Sequence, residues 1–250
     1  MARSRKYGGF APYVSVAERR ARAQHTVDTL RNKIPNIQPV VVQGQKLART
    51  WWGQAWNRNL ERYADYAYRI SRGRSYVRQG AVLDLKIQAG RIKALVQGSQ
   101  TQPYSVQIII DPLKGTAWDS VNRACEGTIN SLAELLEGKF PKALGELFTA
   151  EGKGLFPTPD EIHLQCSCPD WATLCKHAAA ALYGVGVRLD ENPQLFFELR
   201  AVHVEDLVSQ VVTEKSQNLL KKAQKKSGRV IEDAADDLGT MFGIDLDPEP

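Results

Sequence analysis

The sequence predicts an α+β protein: a small antiparallel sheet packed with helices, followed by a strand–loop–helix segment. Three observations lead there. Residues 81–87, 91–96 and 104–110 alternate between apolar and polar side chains, the period of half-buried strands. On either side of these runs, apolar residues recur every three to four positions, the helical period. Beyond residue 160, a short alternating run, a sulfur-rich turn and an alanine-rich run follow one another directly.

With 250 residues, 43% hydrophobic and 24% charged, the chain is long enough to bury its own core. Its longest nearly uninterrupted apolar stretch, residues 178–187, is about half of the roughly 20 residues a membrane-spanning helix needs, so no membrane segment is expected. The basic start, Met1-Ala2-Arg3-Ser4-Arg5-Lys6, runs into Tyr7-Gly8-Gly9-Phe10 rather than an apolar run, which argues against export. Three of the four cysteines crowd into ten residues while Cys125 stands alone, unlike a dispersed disulfide framework. A reducing, cytoplasmic setting is therefore expected. The charge is uneven: residues 1–110 carry 19 Lys and Arg against 5 Asp and Glu, and residues 111–250 carry 14 against 23. The first part is a candidate polyanion surface.

Residues 1–48, with Arg19-Arg20-Ala21-Arg22, scattered prolines and no sustained apolar period, read as a basic extended arm. A second region, 49–150, reads as an α+β domain. In it Trp52, Trp56, Leu60, Tyr63, Ala67 and Ile70 form one helical stripe, with the tryptophans assigned to packing. The glycines of Arg72-Gly73-Arg74-Ser75-Tyr76-Val77-Arg78-Gln79-Gly80 suggest a loop, on which Arg72, Arg74 and Arg78 would meet phosphates. The three alternating runs then form a meander, tightly connected at Ala89-Gly90, with Leu83, Leu85 and Ile87 facing the same core as Ile92, Ala94 and Val96. Arg91 and Lys93 fall on the opposite alternation and would extend the basic surface. Pro103 sits at the start of the third strand, where a missing donor is tolerated. Helical spacing returns from Trp118 to Leu136, with Cys125 on its apolar stripe as a small buried side chain, and again over 142–149.

The region 151–201 carries the chemistry. Cys166, Cys168, Cys175 and His177 have the spacing C-x-C-x6-C-x-H. Ile162, Leu164 and Cys166 share one face of a strand, and Ser167 and Pro169 let the chain turn so that Cys168 approaches the same point. Two ligands two residues apart in a regular helix are separated by about 200° of rotation. Cys175 is therefore expected just before the helix and His177 in its first turn. Three thiolates and one imidazole form a soft, closed tetrahedral set suited to one Zn²⁺, with no position left for activated water. The helix is expected to end at Gly184 or Gly186, and Asn192-Pro193 to start a short helix through Arg200. His25, His163 and His203 read as surface residues. The last region, 202–250, combines a basic helical cluster (Lys221, Lys222, Lys225, Lys226) with an acidic tail.

The ligand pattern, with the words Cys-Ser-Cys-Pro-Asp-Trp and Cys-Lys-His, resembles the SWIM-type zinc finger. More widely, Phe10-Ala11-Pro12-Tyr13-Val14, Thr50-Trp51-Trp52-Gly53-Gln54-Ala55-Trp56, Arg72-Gly73-Arg74-Ser75-Tyr76 and Val96-Gln97-Gly98-Ser99 are similar to bacterial SWIM-containing proteins. That resemblance implies a DNA-binding or protein-binding adaptor, of a kind often encoded beside a Swi/Snf-type helicase-like ATPase. The chain has no G-x-x-x-x-G-K-[ST] phosphate loop, so ATP hydrolysis would belong to a partner. The H-x-E element paired with P-C-x-x-C that a zinc deaminase uses is also missing from the sequence, which has no P-C-x-x-C. Two readings stay open: a non-enzymatic adaptor that holds nucleic acid, DNA above all, or a purely protein-interacting subunit.

Overall fold

The computed structural model describes residues 14–61, 67–125, 145–150 and 154–203, with eight further residues between 209 and 222. Contacts divide the chain into a unit through Val208 and a second from Ser209. In the first unit the elements run α1 (Val16–Arg31), α2 (Trp51–Glu61), α3 (Ala67–Arg78), β1 (Val82–Gln88), β2 (Arg91–Val96), β3 (Tyr104–Ile110), α4 (Gly115–Cys125), α5 (Gly145–Thr149), β4 (Ile162–Cys166), α6 (Lys176–Glu191) and α7 (Leu195–Leu199). The described residues of the second unit are helical, with Lys221 and Lys222 exposed. Lys225, Lys226 and the acidic tail lie outside the described residues.

The strands form one antiparallel sheet in the order β1-β2-β3-β4. The meander is as expected, with Gly90 at φ 64° turning β1 into β2. The strand expected over Ile162–Cys166 is present, and its place is new: Cys166 stands opposite Val106 of β3, so the strand that carries the first thiol belongs to the same sheet as the meander. A register irregularity between Val82 and Asp84 also corrects one facing. It turns Leu83 away from Leu85, onto the opposite face, where it packs with Ala23 and Val27 of α1 and with Leu95. The free edge of β1 is covered by the chain around Pro39, through Val40 N–H to Val82 C=O and Leu85 N–H to Gln38 C=O, each 3.0 Å.

On the other sheet face lies α6, the most deeply buried helix described. It does not stop at Gly184 or Gly186 but runs to Glu191. A Cβ on Gly186 would come within 2.6 Å of Asn57 Oδ1 and 3.1 Å of Trp56, so the glycine permits close helix packing rather than ending the helix. Trp56 is fully buried there, donates its indole N–H to Leu182 C=O at 2.9 Å, and meets Phe156 and Phe196 edge-on. Truncating such a side chain costs roughly 3–5 kcal/mol. Trp52 donates to Leu189 C=O at 2.7 Å, and Asp190 accepts from Arg49 N–H, Thr50 N–H and the Thr50 hydroxyl. That carboxylate sits at the positive start of α2, whose first turn has no acidic residue, and it adds to the cap that Thr50 Oγ1 provides by accepting from Gly53 N–H at 3.2 Å.

Two expectations over the basic regions are corrected. The stretch read as an extended arm contains α1, begun by a capping box in which Ser15 and Glu18 satisfy each other's amides. Residues 72–78, read as a loop, belong to α3, whose Ile70, Gly73 and Val77 line one buried side at helical spacing. A Cβ on Gly73 would lie 2.5 Å from Ala179 Cβ, so this glycine too is a contact with α6. The stripe from Trp52 to Ile70 is accordingly split between α2 and α3, with residues 62–66 outside the described residues. The continuation from α4 to Leu136 is likewise outside them, as are the side chain of Cys125 and residues 1–13.

Entry into β4 is fixed by a buried ion pair. Arg200, after α7, holds Glu161 through Nη1 to Oε2 at 3.1 Å and Nη2 to Oε1 at 2.9 Å, with only 2% of the arginine side chain exposed. Burial alone would raise the Glu161 pKa, but hydrogen bonds from Arg200 and from Thr158 N–H outweigh it and hold the carboxyl below its ordinary value. The stabilisation is thus full above the ordinary carboxylate pKa and fades as pH falls through the lowered one. Glu161→Ala strands the guanidinium and should lower the unfolding free energy at neutral pH by about 3–5 kcal/mol, with the deficit shrinking on acidification. Denaturant titrations of both proteins across pH check this, and a deficit independent of pH would contradict it.

Candidate metal centre

The four soft ligands of the sequence motif are brought together by three different local structures. Cys166 ends β4, and Ser167 prolongs the ladder by one step: its N–H donates to Ser105 C=O and its Oγ accepts from Ser105 N–H, both at 2.9 Å. The chain then leaves the sheet. Asp170 Oδ1 accepts from Ala172 N–H at 3.3 Å, the hydrogen bond of an Asx turn, and its other oxygen is held by Arg69 of α3. These bonds hold the Asp170 carboxyl below its usual range, the Ala172 amide contributing most and Arg69 next. Cys168 is fixed at the start of this turn, its thiol 3.9 Å from Asp170 C=O.

Cys175 and His177 lie where the rotation argument requires. Cys175 is the N-cap of α6, and its Sγ accepts from Ala178 N–H at 3.4 Å. His177 is in the first turn, 2% exposed, with Nδ1 3.9 Å from Cys175 Sγ and 4.0 Å from Cys166 Sγ. One ligand atom from each of the four residues lies within 4.8 Å of all the others. Sulfur and nitrogen atoms about 2.0–2.3 Å from a shared tetrahedral ion are separated by somewhat less than this, so the donor set fits one bound metal with little movement.

The electrostatics point the same way. Among themselves the thiols cannot all ionise: the hydrogen bond from Cys166 pulls Cys175 down to about 3, and the same contact pushes Cys166 upward. Cys168 is raised too, chiefly by burial. A divalent cation removes that conflict, because three thiolates then face +2 rather than each other. The N-terminus of α6 adds its partial positive charge next to Cys175.

The histidine is held in an unusual way. A ligating imidazole commonly passes its second N–H to a carboxylate, carbonyl or water. Here Nε2 of His177 is buried with no hydrogen-bond partner among the described residues. The ring is instead packed against Tyr104 of β3, with centroids 4.5 Å apart, and Tyr76 of α3, at 5.5 Å. Aromatic faces orient it. Neither tyrosine was legible as part of the site, since Tyr104 reaches it only because β4 joins β3, and Tyr76 only because residues 72–78 are helical.

The other predicted contact residues are not gathered in one place. Arg74 pairs with Glu61 and donates to the Tyr183 hydroxyl, and Arg78 donates to Gln45 C=O at 3.1 Å. Arg72 is exposed on α3. Arg91 and Lys93 are exposed on β2, on the sheet face away from α6, whereas α3 packs on α6. His163 is a surface residue, 2.8 Å from Asp111.

Because β4 and α6 are shared between the site and the core, metal loss should not release a separate module. Cys168→Ser should reduce bound metal and lower the unfolding temperature of the whole first unit in one transition, seen by calorimetry and elemental analysis. Melting confined to residues near the turn would contradict this. Tyr104→Ala should weaken metal binding by about tenfold or more, measured by chelator competition, the range known for residues that orient a metal ligand.

Residues 151–185 match the family described as SWIM zinc finger. Over 164 residues the chain is 38% identical to uncharacterized protein Rv2102 of Mycobacterium tuberculosis, an alignment covering 65% of this chain and 59% of that protein. The chain thus spans less than two thirds of the length of this curated relative. No solved structure matches the chain. With the matched segment and the four converging ligands taken together, residues 151–185 are a SWIM zinc finger.

Proposed function

We propose that the chain is a zinc-binding, non-enzymatic adaptor that holds nucleic acid, DNA above all, and works beside a protein partner such as a helicase-like ATPase. The observation that carries this reading is the closed Cys₃His set. Such a set suits zinc, and when four protein donors fill the ion's tetrahedron there is no open position on which to activate water. The metal then serves architecture. A divided charge supports the ligand class: the 19 Lys and Arg against 5 Asp and Glu in residues 1–110 favour a polyanion, and Arg72, Arg91 and Lys93 are exposed. Phosphate contacts would supply most of the affinity and little sequence preference. Three reduced cysteines in one ligand set suit the cytoplasm, and among the described residues no helix is long and apolar enough to cross a membrane. The ATPase partner rests on the resemblance of the sequence words alone.

The test is a salt titration of binding to mixed-sequence duplex DNA, followed by anisotropy. Log affinity should fall linearly with log salt, and replacing Arg72, Arg91 and Lys93 by alanine should weaken binding similarly across sequences. The slope should flatten by up to about 0.9 per lost phosphate contact. If the parent protein binds no DNA at low salt, the reading fails and the acidic surface of a protein partner becomes the ligand to seek.

A further inference from the structure

The zinc loop carries a feature that the metal does not explain. Trp171 is 96% exposed, although burying an aromatic of this size is among the largest stabilisations a side chain offers. The other four tryptophans are ordinary by comparison: Trp56 is fully buried, and Trp51, Trp52 and Trp118 are half-buried. No other large hydrophobic side chain of the loop is exposed, although the small ring of Pro169 is. The chain neighbours of Trp171 are Asp170 and Ala172, and the apolar Leu174 further along is 2% exposed, turned into the core.

The loop is also held in place from several sides. Cys168 and Cys175 anchor it to the metal site, the Asp170 to Ala172 hydrogen bond shapes its turn, and Arg69 of α3 grips Asp170. An indole displayed on a loop pinned at both ends loses little freedom on binding, which raises the affinity of any contact it makes.

The chemistry around it selects the ligand. Arg69 and Arg72 stand three residues apart on α3, and Tyr76, one turn further, packs edge-on to the ligand His177. This side of α3 therefore borders the zinc site. Lys176 follows Cys175 at the start of α6. The loop's one carboxylate, Asp170, is already paired with Arg69. An exposed aromatic on a loop gripped by one guanidinium, with further cations on α3 and at the start of α6, is a pairing that single-stranded nucleic acid engages: bases stack on the ring and phosphates lie against the cations. A duplex keeps its bases stacked on one another and offers this ring only an edge or a groove.

We infer that Trp171, with Arg69, Arg72 and Lys176, forms a stacking contact for single-stranded nucleic acid on the outer side of the zinc loop. This deepens the nucleic-acid reading and rests on it. The test compares the zinc-loaded parent, Trp171→Ala and Trp171→Phe for binding to oligothymidylate and to a mixed-sequence duplex. Zinc content and unfolding temperature serve as controls, and an exposed side chain should leave both unchanged. Trp171→Ala should weaken oligothymidylate binding by about five- to 150-fold, the range of one base stacked on an aromatic, while Trp171→Phe keeps most of it. Duplex binding should change by less than about twofold, within the range of a lost exposed side chain. If the parent binds DNA and Trp171→Ala binds oligothymidylate equally well, the stacking contact is overturned and the nucleic-acid reading stands. An equal loss on duplex and single strand also overturns stacking. If the parent binds neither probe at low salt, the nucleic-acid reading itself has failed.

Discussion

A tetrahedral ion demands four donors within a few ångströms of one another, and in this chain those donors come from the end of a strand, the turn after it and the start of a helix. Meeting that demand fixes where α6 begins relative to the sheet. Cys166 is held by its pairing opposite Val106, and Cys175 must reach the same point while capping α6. Much of the remaining architecture follows from this placement, because α6 touches all four strands and also packs on α2, α3 and α7.

Once α6 is fixed, its two long sides are used differently. Against the sheet it presents small and branched residues, so the helix lies close to Val82 and Leu85: a Cβ on Gly184 would come within 2.8 Å of Leu85 Cδ1 and 3.7 Å of Val82 Cγ1. Toward α2 it offers carbonyls as well as apolar surface, and two indole N–H groups bond to Leu182 and Leu189. Asp190 then ties its C-terminal end to the start of α2. A helix buried on most sides can satisfy the indole N–H groups packed on it through such backbone contacts. The Arg200–Glu161 pair does the equivalent work at the opposite end of β4 from the metal ligands, so the strand is anchored at both ends.

The ligand set and its local geometry were legible because the spacing leaves few alternatives: two ligands two residues apart must straddle a helix start, and Cys175 and His177 do. The meander was legible from strict alternation. What was hidden depended on contacts distant in sequence. Gly73, Gly184 and Gly186 look like breakers when read locally, yet each lies where another element approaches too closely for a side chain. The helix α1 buries only Ala23 and Val27, too few to give an apolar period, although the capping box Ser15-Val16-Ala17-Glu18 was present as a signal. Leu83 followed the alternation in sequence but not in space, since one extra residue in β1 reverses its facing. That β4 would join the meander was not written in its five residues.

The proposed role of the metal as a closed architectural centre, not a place where water is activated, can be read from the coordination shell itself. X-ray absorption spectroscopy on the purified protein should show a zinc edge, with three sulfur neighbours near about 2.3 Å and one nitrogen near about 2.0–2.1 Å. A shell containing a water oxygen, or fewer than three sulfurs, would contradict the account.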